Sequence, residues 1–189
     1  YDETVKLWNI KTGKLVRTFT GYIGSIYSLT TTPDGKYIIS GSKTIKVWDA
    51  ETGDLVRTFI GYTGSVYSVA TTPDGKNVIS GGYDNRVRLW DIDTGEIVKT
   101  FIGHNNTVHS VTATPNGKNI ISGSYDNTIK LWDINTGELV RNFKGHKGSV
   151  YSVITTANGK NIISGSYDNT VNLWDIKTGK LVRNFKGHN

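Results

Sequence analysis

The 189-residue chain contains no cysteine, which excludes disulfide stapling, thiolate zinc sites and a cysteine nucleophile. No stretch approaches the roughly 18 consecutive apolar residues of a membrane helix. The opening YDETVKLWNI lacks the charged-then-apolar order of a secretory leader. Helical apolar periodicity is missing throughout, as is any low-complexity linker that would divide the chain. Motifs of common chemistries are missing too. No Gly-Lys pair has a glycine five residues before its own glycine, as a phosphate-cradling loop requires, and there is no Gly-x-Ser-x-Gly elbow. His104, His109, His146 and His188 form no ligand pair at helical or hairpin spacing, so no metal site is expected. These absences point to a soluble, cytoplasmic, non-enzymatic protein without a cofactor. The sequon at Asn105 to Thr107 would matter only in a secretory pathway.

What is present is repetition. Trp8, Trp48, Trp90, Trp132 and Trp174 are spaced 40, 42, 42 and 42 residues apart, in near-copies of the stretch GSYDNTIKLWDINTGELVRNFKGH at 123–146. A fixed period in this range marks an architecture whose units bury their apolar faces against one another. The units run 1–20 (partial), 21–60, 61–102, 103–144 and 145–186, and the last two agree at 31 of 42 positions. At 36% apolar and 11% aromatic residues, the chain can fill a core and lacks the signature of disorder. Each unit reads as four short strands. In the third they are SVYSVATT (65–72), KNVISGG (76–82), RVRLWDI (86–92) and EIVKTFI (96–102), rich in β-branched and aromatic residues. Pro-Asp-Gly-Lys, Tyr-Asp-Asn and Asp-Thr-Gly between them are turn chemistries: Gly takes positive φ, and Asp and Asn bond their own backbone.

A small twisted sheet with apolar residues on both faces must stack against others, and radial stacking gives a β-propeller. Gly103-His104, Gly145-His146 and Gly187-His188 open units, and Trp48-Asp49, Trp90-Asp91, Trp132-Asp133 and Trp174-Asp175 close third strands. With these motifs at this spacing, the whole chain resembles the WD-repeat β-propeller family. The expected fold is all-β, with four complete four-stranded antiparallel blades plus a half blade over 1–189. Such a ring closes only with additional blades or another chain, so the chain reads as part of a longer protein, with self-association as the other route.

The resemblance implies a hydrogen-bonded tetrad in each unit: His104, Ser122, Asp126 and Trp132 in the fourth, and His146, Ser164, Asp168 and Trp174 in the fifth. The chemistry suits a structural role, because a buried indole N–H needs an acceptor, a hydroxyl can relay to imidazole, and a carboxylate fixes the imidazole tautomer. The third unit has Tyr62 in place of His and keeps Ser80, Asp84 and Trp90. The second has Tyr22, and a two-residue deletion (GSKTIKVWD) removes its Asp, so a shorter hairpin with the tyrosine packed over the gap is expected. Recurrence in several units, joined to Trp, argues against a hydrolase triad.

The resemblance also implies a partner-docking face. On this chain it comprises Ile23, Thr63, Asn105 and Lys147, then Ser25, Ser65, Thr107 and Ser149, and the tyrosines Tyr1, Tyr83, Tyr125 and Tyr167. Repeated tyrosines suit an interface, although they could equally just cap the tetrads. Tyr27, Tyr67, His109 and Tyr151 are expected toward the central channel. Net charge is +6, but Arg17, Arg57, Lys99, Arg141 and Arg183 recur on each outermost strand, which reads as a solvated edge rather than a nucleic-acid groove. The function implied is a non-catalytic scaffold or sensor module that binds proteins or peptides. The alternative is a small-ligand or glycan binder with repeated pockets between blades.

Overall fold

A computed structural model describes residues 3–21 and 24–187. Tyr1, Tyr22, Ile23 and His188, singled out above, lie outside the described residues. Every element among those described is a strand. β1 (Val5–Trp8) and β2 (Leu15–Phe19) form a two-stranded sheet. The second sheet is β3 (Ser28–Thr31), β4 (Tyr37–Gly41), β5 (Ile45–Asp49) and β6 (Leu55–Phe59), and the third is β7 (Val66–Thr71), β8 (Asn77–Gly82), β9 (Val87–Asp91) and β10 (Ile97–Phe101). The fourth is β11 (Val108–Ala113), β12 (Asn119–Ser124), β13 (Thr128–Asp133) and β14 (Leu139–Lys144), and the fifth is β15 (Val150–Thr155), β16 (Asn161–Ser166), β17 (Thr170–Asp175) and β18 (Leu181–Lys186). Each sheet is an antiparallel meander in chain order, and the unit boundaries drawn on the sequence fall between sheets.

The turns use the residues the backbone demands. Asn85, Asn127 and Asn169 all sit at φ of 63 to 65° after the Tyr-Asp pair, a left-handed conformation that Asn tolerates better than most side chains. At the other end of the sheets, the Asp of each Trp-Asp pair holds the next turn. Asp133 Oδ1 accepts from the Asn135 and Thr136 amides at 2.9 and 2.8 Å, and Asp91 does the same for Asp93 and Thr94. Between the paired Gly41 and Ile45 the hairpin has three residues, two fewer than between the matching pairs Gly81 and Val87 or Gly123 and Ile129.

Seams between sheets carry the core. Ile79, Leu89 and Phe101 of the third sheet pack against Val108, Val111, Ile120 and Trp132 of the fourth, and equivalent sets fill the other seams. Close approach depends on glycine in the second strand. A Cβ on Gly81 would stand 2.5 Å from a Val108 methyl carbon, and one on Gly123 would stand 2.7 Å from Val150. Polar contacts stitch the same seams: the Val69, Val111 and Val153 amides donate across to Ser28, Ser68 and Ser110 hydroxyls at 3.0 to 3.1 Å.

The row of outer cations has a role the sequence did not suggest. Arg57 Nη1 donates to the Thr94 carbonyl at 3.1 Å, and Arg141 reaches the carbonyls of Thr178 and Lys177 at 3.3 and 2.9 Å. Arg17 holds Thr52 and Glu51 in the same way, and Lys99 holds Asn135. These side chains are half-buried clasps on the following sheet rather than a solvated edge, because carbonyls crowded outward at a tight turn offer a cation ready acceptors.

Among the described residues the sheets do not close a ring. Phe185 is 45% exposed, whereas Phe19, Phe59, Phe101 and Phe143 are each 1% exposed, and nothing lies within 4 Å of a Cβ built on Gly165. That contrast supplies a test. Gly123→Ala forces a side chain into a filled seam and should cost about 1–3 kcal/mol in denaturant unfolding. Gly165→Ala, in open space and without positive φ, should change stability by less than about 0.5 kcal/mol. Equal losses would show that the seam is not held by close approach.

Candidate binding face

In the fourth and fifth sheets the structure brings the four tetrad residues together. His104 Nδ1 lies 2.7 Å from Asp126 Oδ2 and its Nε2 lies 2.7 Å from Ser122 Oγ, while the Trp132 indole N–H donates to the same hydroxyl at 2.8 Å. His146, Asp168, Ser164 and Trp174 repeat this at 2.9, 2.7 and 2.8 Å. With the carboxylate ionised, Nδ1 carries the proton, the serine hydroxyl donates to Nε2, and the serine oxygen accepts from the indole. The serine's one hydrogen goes to the imidazole and one of its lone pairs to the indole, and the set sits inside the fold, with Ser122 fully buried.

The carboxylate also fixes the surrounding loops. Asp126 accepts the Asn105 amide at 3.0 Å, the Thr128 amide at 3.0 Å and the Thr128 hydroxyl at 2.6 Å, and Asp168 is held likewise by Lys147 and Thr170. Burial pushes Asp126 toward protonation, but the bonds from His104 and Thr128 outweigh it and hold the carboxyl well below its usual range. For Asp168 the same contest, burial against bonds from Thr170, Lys147 and His146, leaves the value at about 2. Burial lowers His104, only partly offset by Asp126.

The third sheet solves the problem differently. Tyr62 hydroxyl bonds Ser80 directly, and Trp90 donates to Ser80 at 2.6 Å. Burial pushes the Tyr62 phenol up to about 12. Asp84 does not join this set. The phenol's one polar group is bonded to Ser80, so the carboxylate pairs instead with Arg88 at 2.6 Å, whose guanidinium lies 4.3 Å over the Tyr62 ring. In the second sheet Trp48 donates to Ser40 at 3.4 Å.

Above the tetrads lies the face formed by loops before each first strand and after each second strand. Its two loop sets are tied to each other: the Tyr83, Tyr125 and Tyr167 amides donate to the carbonyls of Ser65, Thr107 and Ser149 at 2.8 to 2.9 Å. Thr63, Asn105 and Lys147 are exposed there, Ser25, Ser65 and Ser149 are half-buried, and Thr107 is buried. Tyr83 and Tyr167 stand exposed, whereas Tyr125 turns inward onto His109 with ring centroids 4.2 Å apart.

Tyr125 thereby joins an aromatic file along the innermost strands. Tyr27 meets Tyr67 at 4.9 Å, Tyr67 meets His109 at 4.8 Å, His109 meets Tyr151 at 5.1 Å, and Tyr151 meets Tyr125 and Tyr167 at 5.5 and 6.3 Å. A β-bulge aims these rings. The ladder passes from Val66 to Ser68, from Val108 to Ser110 and from Val150 to Ser152, skipping Tyr67, His109 and Tyr151. Bulged residues are re-aimed out of the strand's alternation. Burial lowers the His109 pKa, and the hydrogen bond with Tyr151, together with burial, pushes the Tyr125 phenol up to about 12.

The tetrads make stability depend on acidity in one direction. His104 is held below its ordinary 6.5, so the unfolded chain takes up a proton first and stability falls as pH drops below that value. Asp126 and Asp168 are held below 3.8, so their contribution is present above 3.8 and is lost as pH falls through the folded values. Melting temperature should therefore be flat above about pH 7, sag toward pH 5 and drop again below 4, and Asp168→Asn should shrink the second drop. Ser122→Ala, which strands a buried indole and an imidazole nitrogen, should cost about 1–3 kcal/mol.

The family model described as WD domain, G-beta repeat matches residues 13–49, 53–91, 95–133 and 137–175. Each matched segment takes in the outer strand of one sheet and the first three strands of the next, ending on Trp-Asp. Over 38 residues the chain is 45% identical to the WD40 repeat-containing protein HOS15 of Arabidopsis thaliana. That stretch is 20% of this chain and 6% of the length of the Arabidopsis protein. Repeats of this kind generally mediate contacts between proteins and are typically non-catalytic. With four matched repeats spanning most of its length, the chain belongs to the WD40 repeat family.

Proposed function

We propose that this chain is a non-catalytic platform, a scaffold or the sensing part of a larger protein, that binds a protein or peptide across the face bearing the tyrosine loops. The observation that carries this reading is the aromatic file, which continues across four sheets and emerges at Tyr167. Rigid rings with polar tips lose little freedom on docking, and such residues dominate binding energy at interfaces. The loops presenting them are fixed from below by Asp126 and Asp168, so a partner meets a preformed surface. The outer cations Arg17, Arg57, Lys99 and Arg141, by contrast, are engaged with neighbouring carbonyls, which favours a protein over a nucleic acid as partner.

A second reading, a small-ligand or glycan binder, draws on the opposite end of the sheets. A cleft of about 750 Å³ opens there between the third and fourth sheets, with Asn77, Lys99, Asn116 and Asn135 on its walls.

The two readings separate by substitution. For a partner recovered in stoichiometric amount, Tyr67→Ala and Tyr167→Ala should each weaken binding about tenfold or more, with Asn116→Ala and Asn135→Ala without effect. Loss of binding confined to the asparagine variants would overturn the platform reading. Saturable sugar binding in calorimetry, abolished by Asn135→Ala, would establish the second.

A further inference from the structure

Third-strand residues Arg88, Lys130 and Asn172 occupy equivalent positions, opposite Ser80, Ser122 and Ser164 in the ladder. Two of them have partners. Arg88 has the Asp84 carboxylate, freed because Tyr62 replaces histidine. Asn172 is neutral and accepts from the Asn184 amide at 2.5 Å. Lys130 is different. Its Asp126 is already taken by His104, Asn105 and Thr128, with two bonds on each oxygen. Among the described residues, no carboxylate and no hydrogen-bond acceptor lies within bonding reach of its ammonium, although the residue is only 6% exposed.

Lys130 lines a cavity of about 380 Å³ at the loop end of the fourth sheet, walled also by Asn142, Lys144 and the Gly145–His146 pair. The ladder sets Asn142 directly opposite Lys130, and Lys144 opposite Thr128, so these residues alternate onto one side of the sheet. Two ammonium groups and a side-chain amide thus face a space whose one acid has no free lone pair. A buried charge without a bonded counter-ion is costly. We propose that this cavity seats a tetrahedral oxyanion, a phosphate or phosphate monoester, bound by Lys130, Lys144 and the Asn142 amide. The site lies apart from the aromatic file and stands whether or not a protein docks there. Burial lowers the Lys130 pKa, Asp126 offsets this in part, and the proximity of Lys144 lowers it further.

The test is a melting and calorimetric series on the whole chain with inorganic phosphate against chloride of equal ionic strength. Phosphate should raise the melting temperature saturably. Lys130→Met should abolish that rise and, without phosphate, melt at or above the parent, because it removes an uncompensated charge. Lys144→Met, at an exposed position that leaves the core intact, should weaken phosphate binding by about tenfold, and Lys160→Met at the opposite end should leave it unchanged. Phosphoserine binding tighter than phosphate would identify a modified protein as the source, and equal binding would identify the free ion; both support the seat. An identical phosphate response in the parent, Lys130→Met and Lys144→Met, or no response beyond that to chloride, would overturn it.

Discussion

The structure depends on how closely one sheet can approach the next. Each sheet is apolar on both faces, so none is stable bare, and the seam closes only where a second-strand glycine admits valines from the following first strand. Everything else in the seam follows from that distance. Serine hydroxyls of one first strand come within reach of amides in the next, and the outer cations span to neighbouring turns. Phe19, Phe59, Phe101 and Phe143 of the outer strands each meet the tryptophan of the following sheet at 5.4 to 6.0 Å. Apolar burial, hydrogen bonds and charge all act along one direction of the chain.

The tetrads solve a second problem, that of polar groups sealed beneath loops. The fourth and fifth sheets do it with histidine and aspartate, and the third with tyrosine and arginine. These are two self-consistent sets rather than one set with an error. Exchanging histidine for tyrosine releases a carboxylate, and that carboxylate is acceptable only because a guanidinium stands four residues on. Lys130, at the guanidinium's position in a sheet that kept its histidine, faces a carboxylate whose oxygens are already bonded by others.

Strand order, unit boundaries and the tetrads of the later units were legible in the sequence, because each depends on local chemistry repeated at fixed spacing. Tyr125 and Tyr83 look alike in sequence, yet one packs on His109 and the other stands in solvent, although Tyr83's unit also carries a ring, Tyr67, at the position of His109. The clasps of Arg57 and Arg141 were not legible either: their partners lie 36 to 37 residues away and are backbone carbonyls, which leave no mark on side-chain composition. The bulges at Tyr67, His109 and Tyr151 escaped for a related reason, since a skipped ladder position looks like ordinary alternation until the partner strand is known.

The matched repeats run out of phase with the sheets, each taking the outer strand of one and three strands of its successor. A duplicated segment of this kind is covalently sewn across a seam from the moment it is made. It finishes the sheet before it and begins the one after, so the number of units can grow or shrink by tandem copying without designing a new joint. The 31 of 42 shared positions in the last two units are the sequence record such copying leaves.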